Sequence, residues 1–280
     1  MMLSLLLFSL MDASVKWLGA YYPTTQIMFF RCIVALIPIV VIILMRGGFG
    51  ILRTAHKKLH MLRSLLGIGA MALAFYAFSL MPLAAAISIL HTAPLFMTAL
   101  SVLLLREKVG LRRWCAVIIG FAGMLIVVRP GPEMLASGSL YMLIAAFLIG
   151  CTTTIIRYLG KIDDPVCITF YFTVTGVVVS SVGILVQGWR PPPSTDLVLL
   201  FLVGLFGGMA QYLMTLSYRH LAVGILAPFK YLTIVLGGVI AYFVWDEVPD
   251  LASLIGIGII VVSGLYTLRR ELVLASGNTT

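Results

Sequence analysis

Apolar residues run through this chain in long unbroken blocks, and the charged residues fall almost entirely between the blocks. The blocks predict ten helices, at Met2–Gly19, Thr24–Leu44, Ser64–Phe78, Ala84–Leu105, Trp114–Val128, Leu135–Ile156, Val166–Val186, Leu197–Tyr218, Val223–Val244 and Leu251–Leu268. Most come close to the roughly 20 residues that a helix needs to cross the hydrocarbon of a bilayer. Barrel strands are excluded, because they would be half as long and would alternate apolar with polar positions. The expectation is an all-α membrane protein of ten transmembrane helices.

Composition agrees. Of the 280 residues 61% are hydrophobic and 10% charged, against about 25% charged in a soluble domain. So few charges cannot cover a water-facing surface of that size, so lipid must be the solvent. The net charge of +9 does not point to nucleic acid, because no basic run is interleaved with aromatics. It reports orientation instead. Fourteen of the 19 lysines and arginines would lie on one face: Arg46, Arg53, Lys57, Lys58, Arg63, Arg106, Lys108, Arg112, Arg113, Arg157, Lys161, Arg219, Arg269 and Arg270. The opposite face has Arg129 and Arg190, and Lys16, Arg31 and Lys230 lie within spans. Both termini are therefore expected in the cytoplasm of a multi-pass plasma (inner) membrane protein. The first apolar block lacks a cleavage-like site and reads as a span, not a signal peptide. Cys32, Cys115, Cys151 and Cys167 sit in apolar stretches without CxxC spacing, as small packing residues do, and imply neither metal nor cofactor.

The two halves echo each other. Trp17-Leu18-Gly19 with Pro23 returns as Tyr158-Leu159-Gly160 with Pro165. Ser79 with Leu83-Ala84 returns as Ser217 with Leu221-Ala222, and Glu107 with Val109 as Glu247 with Val248. A near-constant offset of 138 to 142 residues marks an internal repeat. Five helices per unit is an odd number, so the second unit enters from the opposite side. The expected organisation is two inverted five-helix repeats, residues 1–130 and 134–270, with a cytoplasmic tail over 271–280.

Particular segments carry a family likeness. They are Phe29-Phe30-Arg31, Arg63-Ser64-Leu65-Leu66-Gly67, Met81-Pro82-Leu83 leading to Thr92-Ala93-Pro94, and Leu105-Arg106-Glu107-Lys108. Gly120 through Pro130, Ala227-Pro228-Phe229-Lys230-Tyr231 and Trp245-Asp246-Glu247-Val248-Pro249 continue it. Through them the chain resembles the drug/metabolite transporter superfamily, in its ten-helix branch with two EamA-type domains. The resemblance implies movement of a small metabolite, carboxylate, nucleotide-like or otherwise amphipathic, with the site enclosed mainly by helices 1, 3, 4, 6, 8 and 9. Transport would be facilitated, or coupled to a proton or an exchanged solute.

Ionisable residues inside spans each cost about 2.5–3.5 kcal/mol at mid-bilayer and need a reason. Asp12 and Lys16 are four apart with the acid first, which favours an ion pair; the alternative is a site role for Asp12. Arg31 reads either as a clamp between helices 1 and 2, with Asp12 as its partner, or as a substrate contact. His91 and Lys230 are 139 apart, each near a helix-interrupting proline, Pro94 and Pro228. Together they suggest a site for an anionic group, although His91 also fits a neutral histidine bonded between helices. Lys230 has no acid nearby in its helix and is the favoured substrate contact. Phe75, Tyr76, Gln211, Tyr212 and Tyr231 are candidates for stacking and hydrogen bonding. Gly120, Gly123, Gly256 and Gly258 read as close helix packing, and Glu107 and Glu247 as structural.

An intramembrane enzyme needs paired aspartates, a serine–histidine pair or HExxH, and none is present. A membrane scaffold would leave the repeat and the buried polar residues unexplained. No Walker A sequence occurs, so any transport is secondary.

Overall fold

The computed structural model describes residues 1–93, 95–96, 111–128, 138–220 and 232–277. Among these residues every regular element is helical. Ten α-helices follow in order: α1 Met2–Gly19, α2 Thr24–Met45, α3 Lys57–Leu80, α4 Leu83–Leu90, α5 Leu111–Val128, α6 Ser139–Leu159, α7 Pro165–Gln187, α8 Ser194–His220, α9 Leu232–Trp245 and α10 Leu251–Gly277. A single 3-10 turn, Phe49–Leu52, lies between α2 and α3. Six of the helices (α1, α2, α3, α6, α7 and α8) are long and apolar enough to cross a membrane.

Two boundaries differ from expectation for identifiable reasons. α3 begins at Lys57, about two turns before the predicted Ser64, because the charged residues ahead of the apolar run are carried within the helix. Arg63 and His60 are consequently helical and buried. α4 ends at Leu90, where a continuous helix to Leu105 was expected. Proline at position 94 has no N–H to offer the Leu90 carbonyl, so the helical ladder is interrupted there. Residues 93, 95 and 96 are helical again after a turn at His91 and Thr92; from residue 97 the predicted span, including Glu107, lies outside the described residues, as does the first part of the predicted ninth.

Polar ties gather at the two ends of the bundle. At one end Lys16 pairs with Glu247, which also accepts from the Leu83 N–H at 3.0 Å. Tyr22 donates to Asp196 at 2.6 Å. Burial, helped by that carboxylate, pushes the Tyr22 hydroxyl up to about 12, so it remains a donor at neutral pH. Thr25 donates to Gln187 at 2.9 Å, while Gln26 and Arg190 exchange side-chain and backbone bonds. At the other end Asp163 accepts from Thr54 and meets His60, both at 2.8 Å, and Arg46 reaches Asp164 at 3.5 Å. Asp164 also caps α7 through the Val166 N–H. Each of these contacts, apart from the cap, joins a residue before 100 to one after 160.

Between the ends, packing depends on small residues, since lipid supplies no hydrophobic drive between helices. A Cβ on Gly123 would lie 3.0 Å from the Gly256 carbonyl, and one on Gly256 2.8 Å from that of Gly123, so α5 and α10 touch backbone to backbone. Gly120 is equally crowded, by Leu95 and Ser263. Gly258 is not: nothing lies within 4 Å of its Cβ position, so it faces outward rather than into the expected contact. Gly204 and Gly208 let α8 approach Phe30, Val34 and Ala35 of α2 in the same way. Outside, Met45, Phe243, Val186 and Leu185 are 80–85% exposed, a surface that lipid can cover and water cannot. The four cysteines are free thiols.

Candidate functional site

A cavity of about 230 Å³ lies between α1, α2, α3, the end of α4, α6, α7, α8 and α9. Its wall is mostly apolar and aromatic, with Phe8, Phe75, Phe78 and Phe172 among the lining side chains. Into this setting the helices bring Asp12, Arg31, Arg63, His91, Gln211, Thr152, Thr153 and Thr233. Helical geometry decides which side chains arrive. Successive residues are turned by about 100°, so Phe75 faces the cavity and Tyr76 does not. Tyr76 is 43% exposed and packs its ring on Tyr141. Gln211 likewise faces the cavity, donating to Thr215 at 3.5 Å. Its neighbour Tyr212 is packed into an apolar cluster with Ala35, Ile39, Ile43 and Val166. Of each of these two adjacent pairs, one member lines the cavity.

The expected Asp12–Lys16 ion pair does not form. Lys16 turns instead to Glu247 and lies 4.9 Å over the Trp245 ring. Asp12 stays on the cavity wall. Arg31 is near enough to Asp12 for the two charges to interact, but its direct contacts are to other helices: its Nη2 donates to the Gly207 carbonyl of α8 at 3.4 Å, and its guanidinium lies 5.0 Å from the centroid of Phe172 on α7. Arg31 keeps that place because Gly207 has no side chain; a Cβ there would lie 3.0 Å from Arg31 Nε.

Arg63 is the residue that the sequence reading missed. It was counted as a loop charge, yet it is 3% exposed, lines the cavity and lies 4.2 Å from the centroid of the same Phe172. Its signal in the sequence was the turn-by-turn spacing of Lys57, His60 and Ser64 ahead of the apolar run, which continues the helix backward. Gly67, one turn on, leaves room for the Phe172 ring, whose edge would lie 3.0 Å from a Cβ at that position. Two arginines so buried cost several kcal/mol between them, on the order of 2.5–3.5 each at a span centre.

His91 caps α4 and donates from Nδ1 to the Ile87 carbonyl at 2.7 Å; its Nε2 meets the Thr233 hydroxyl of α9 at 2.6 Å. A carbonyl only accepts, so Nδ1 carries a proton, and the ring bridges α4 and α9 beside the cavity. Lys230 and Tyr231 lie outside the described residues. No group of three or more potential metal ligands occurs among the described residues.

Known proteins share this architecture. An S-adenosylmethionine uptake transporter of Rickettsia bellii is 30% identical over 96% of this chain and 92% of its own. A riboflavin transporter of Brucella anthropi is 25% identical over 94% and 95%, and the pseudopaline exporter CntI of Pseudomonas aeruginosa 27% over 94% and 92%. A solved crystal structure superposes with a TM-score of 0.67 at 19% identity, over 96% of this chain and 98% of that one, which speaks for the fold alone. The EamA-like transporter family matches residues 1–129 and again 136–269. With both halves of the chain matched, this protein belongs to the EamA-like transporter family, and it is a transporter rather than an enzyme.

Proposed function

We propose that the chain is a secondary transporter that carries a small anionic or amphipathic metabolite across the inner membrane by alternating access. Its scaffold would be ten spans in two inverted repeats, residues 1–130 and 134–270, with both termini cytoplasmic; α10 continues to Gly277, beyond the predicted Leu268, and takes in most of the tail expected over 271–280. The observation that carries this reading is the charged cavity, walled by helices from both halves.

Helix contacts support the repeat. If α1–α5 correspond to α6–α10, then α1 against α8 should be mirrored by α6 against α3, and α1 against α9 by α6 against α4; all four contacts occur. α2 meets α7 and α5 meets α10, each its own counterpart. Direction supports the inversion. α1 ends beside Ser79, close to where α6 begins, since Gly138 abuts Leu80 and Ala77. α2 begins where α7 ends, through Thr25 and Gln187, and α4 begins where α9 ends, through Leu83 and Glu247. Inverted halves around one midplane site are the usual means of exposing it to each side in turn.

Alternating access requires one set of end ties to open while the other holds. Those ties cross between the halves at both ends, as such a scheme needs. The cavity is somewhat smaller than the roughly 300–1,000 Å³ usual for ligand pockets, consistent with a site that widens when one end opens. Cargo resembling that of the named relatives, a flat ring system with a polar or charged arm, suits a wall of phenylalanines broken by charges. Lys230 is proposed to contact the cargo, with His91, its counterpart by the 139-residue offset between the repeats, as a second donor. Asp12, Arg31, Phe75 and Gln211 would complete the contacts from the described wall. A proton or a counter-solute would supply the energy. Reconstituted into liposomes, the protein should show saturable uptake of one member of a panel containing S-adenosylmethionine, riboflavin, amino acids and organic acids. Flux no greater than that of empty liposomes across the panel refutes the reading.

A further inference from the structure

Arg31 and Arg63 come from different helices and converge on one ring: both guanidinium carbons lie within 5.0 Å of the Phe172 centroid. Both side chains are almost completely buried, at 2% and 3% exposure. Among the described residues, Nε and Nη1 of each arginine have no hydrogen-bond partner. A face of Phe172 eases the charge of a nearby cation but accepts none of these N–H groups in the directed way an oxygen would. Four buried nitrogens, two on each of two cations that line one cavity, are thus without a partner. Such groups are ordinarily paired, and paired guanidinium donors most often meet an oxyanion through two parallel bonds.

The surroundings hold the pair ready. Gly207 admits the Arg31 side chain, and Gly67 admits the Phe172 ring on which both cations rest. The charged side chains of the described wall are Arg31, Arg63 and Asp12, so the wall favours an anion. A carboxylate presents two oxygens to a guanidinium fork, whereas a phosphate dianion brings a second charge toward Asp12. His91 is less available, because both ring nitrogens already face the protein partners Ile87 and Thr233.

We propose that Arg31 and Arg63, resting on Phe172, form a carboxylate-binding subsite for the transported solute. The proposal deepens the transporter reading and rests on it for the word "transported"; binding itself is tested separately. The full-length protein, purified in detergent, is titrated with S-adenosylmethionine, free amino acids, the carboxyl methyl ester of each, and inorganic phosphate. Thermal stabilisation is the readout. At least one carboxylate compound should stabilise the protein, with its ester at least tenfold weaker and phosphate without effect. Arg63→Gln should remove the preference for acid over ester. Arg63→Lys should recover it only in part, since a point donor replaces a fork. Because the acid–ester comparison uses the unaltered protein, a poorly folding variant cannot decide the matter. The subsite is overturned if no carboxylate compound stabilises the protein, if acid and ester bind alike, if phosphate alone binds, or if the preference survives in both Arg31→Gln and Arg63→Gln. Carboxylate-dependent binding without uptake in liposomes would refute transport and leave the subsite supported.

Discussion

Lys16, at the end of the first helix, is ion-paired with Glu247, just past the end of the ninth. The two are 231 residues apart, and the second carboxylate oxygen holds the Leu83 N–H at the start of α4. One acid thereby fastens three helix ends at one end of the bundle. Both side chains are mostly buried, at 11% and 23% exposure, so the pair lies between the exposed and fully buried cases. Glu247→Gln should destabilise the protein by about 2–3 kcal/mol. The exchange Lys16→Glu with Glu247→Lys should recover part of that in a double-mutant cycle. Additive losses would show that the pair carries no coupling.

Topology follows from the charge asymmetry. Lys58 and Ser194 are exposed at opposite ends of the bundle. Cysteines placed there, in a background lacking Cys32, Cys115, Cys151 and Cys167, should react with a membrane-impermeant thiol reagent from opposite sides. The Lys58 position should react only from the cytoplasm. Reaction of both from one side would contradict the ten-span arrangement.

The contact between α5 and α10 leaves no room for side chains at Gly123 and Gly256. Gly123→Leu should cost at least the 1–3 kcal/mol typical of overpacking and sharply reduce the yield of monodisperse protein. Gly258→Leu, at an open position, should be tolerated. Equal behaviour of the two would place the helices differently.

Lys230 is proposed to touch the cargo. Lys230→Ala should abolish saturable uptake while leaving the melting temperature within a few degrees, and Lys230→Arg should restore little, because a fork does not replace a point donor. Normal uptake in Lys230→Ala, or loss of activity only through loss of fold, would make the lysine structural.

Much of the helix layout was legible because apolar run length reports membrane spans directly: α1 is Met2–Gly19 both as predicted and as observed. Charge makes poor punctuation here, since Arg63 and His60 belong inside α3 and are buried there. The cavity was legible in part. A sequence names polar residues within spans, and so found Asp12, Arg31 and His91. Without a rotational phase it could not separate Phe75 from Tyr76 or Gln211 from Tyr212. Partners distant in sequence were out of reach for the same reason: i,i+4 spacing paired Lys16 with Asp12, whereas packing brought it Glu247.

Exposure of one site in turn to the two sides of the membrane can be read by counterflow in proteoliposomes. Vesicles carrying the protein are loaded with an excess of unlabelled cargo, taken as the panel member that shows saturable uptake, and diluted into a trace of the same compound in labelled form. Alternating access predicts a transient overshoot of internal label, several-fold above that of unloaded vesicles, which disappears when the protein is omitted. Entry that rises linearly with concentration and ignores what lies inside the vesicle would contradict the account.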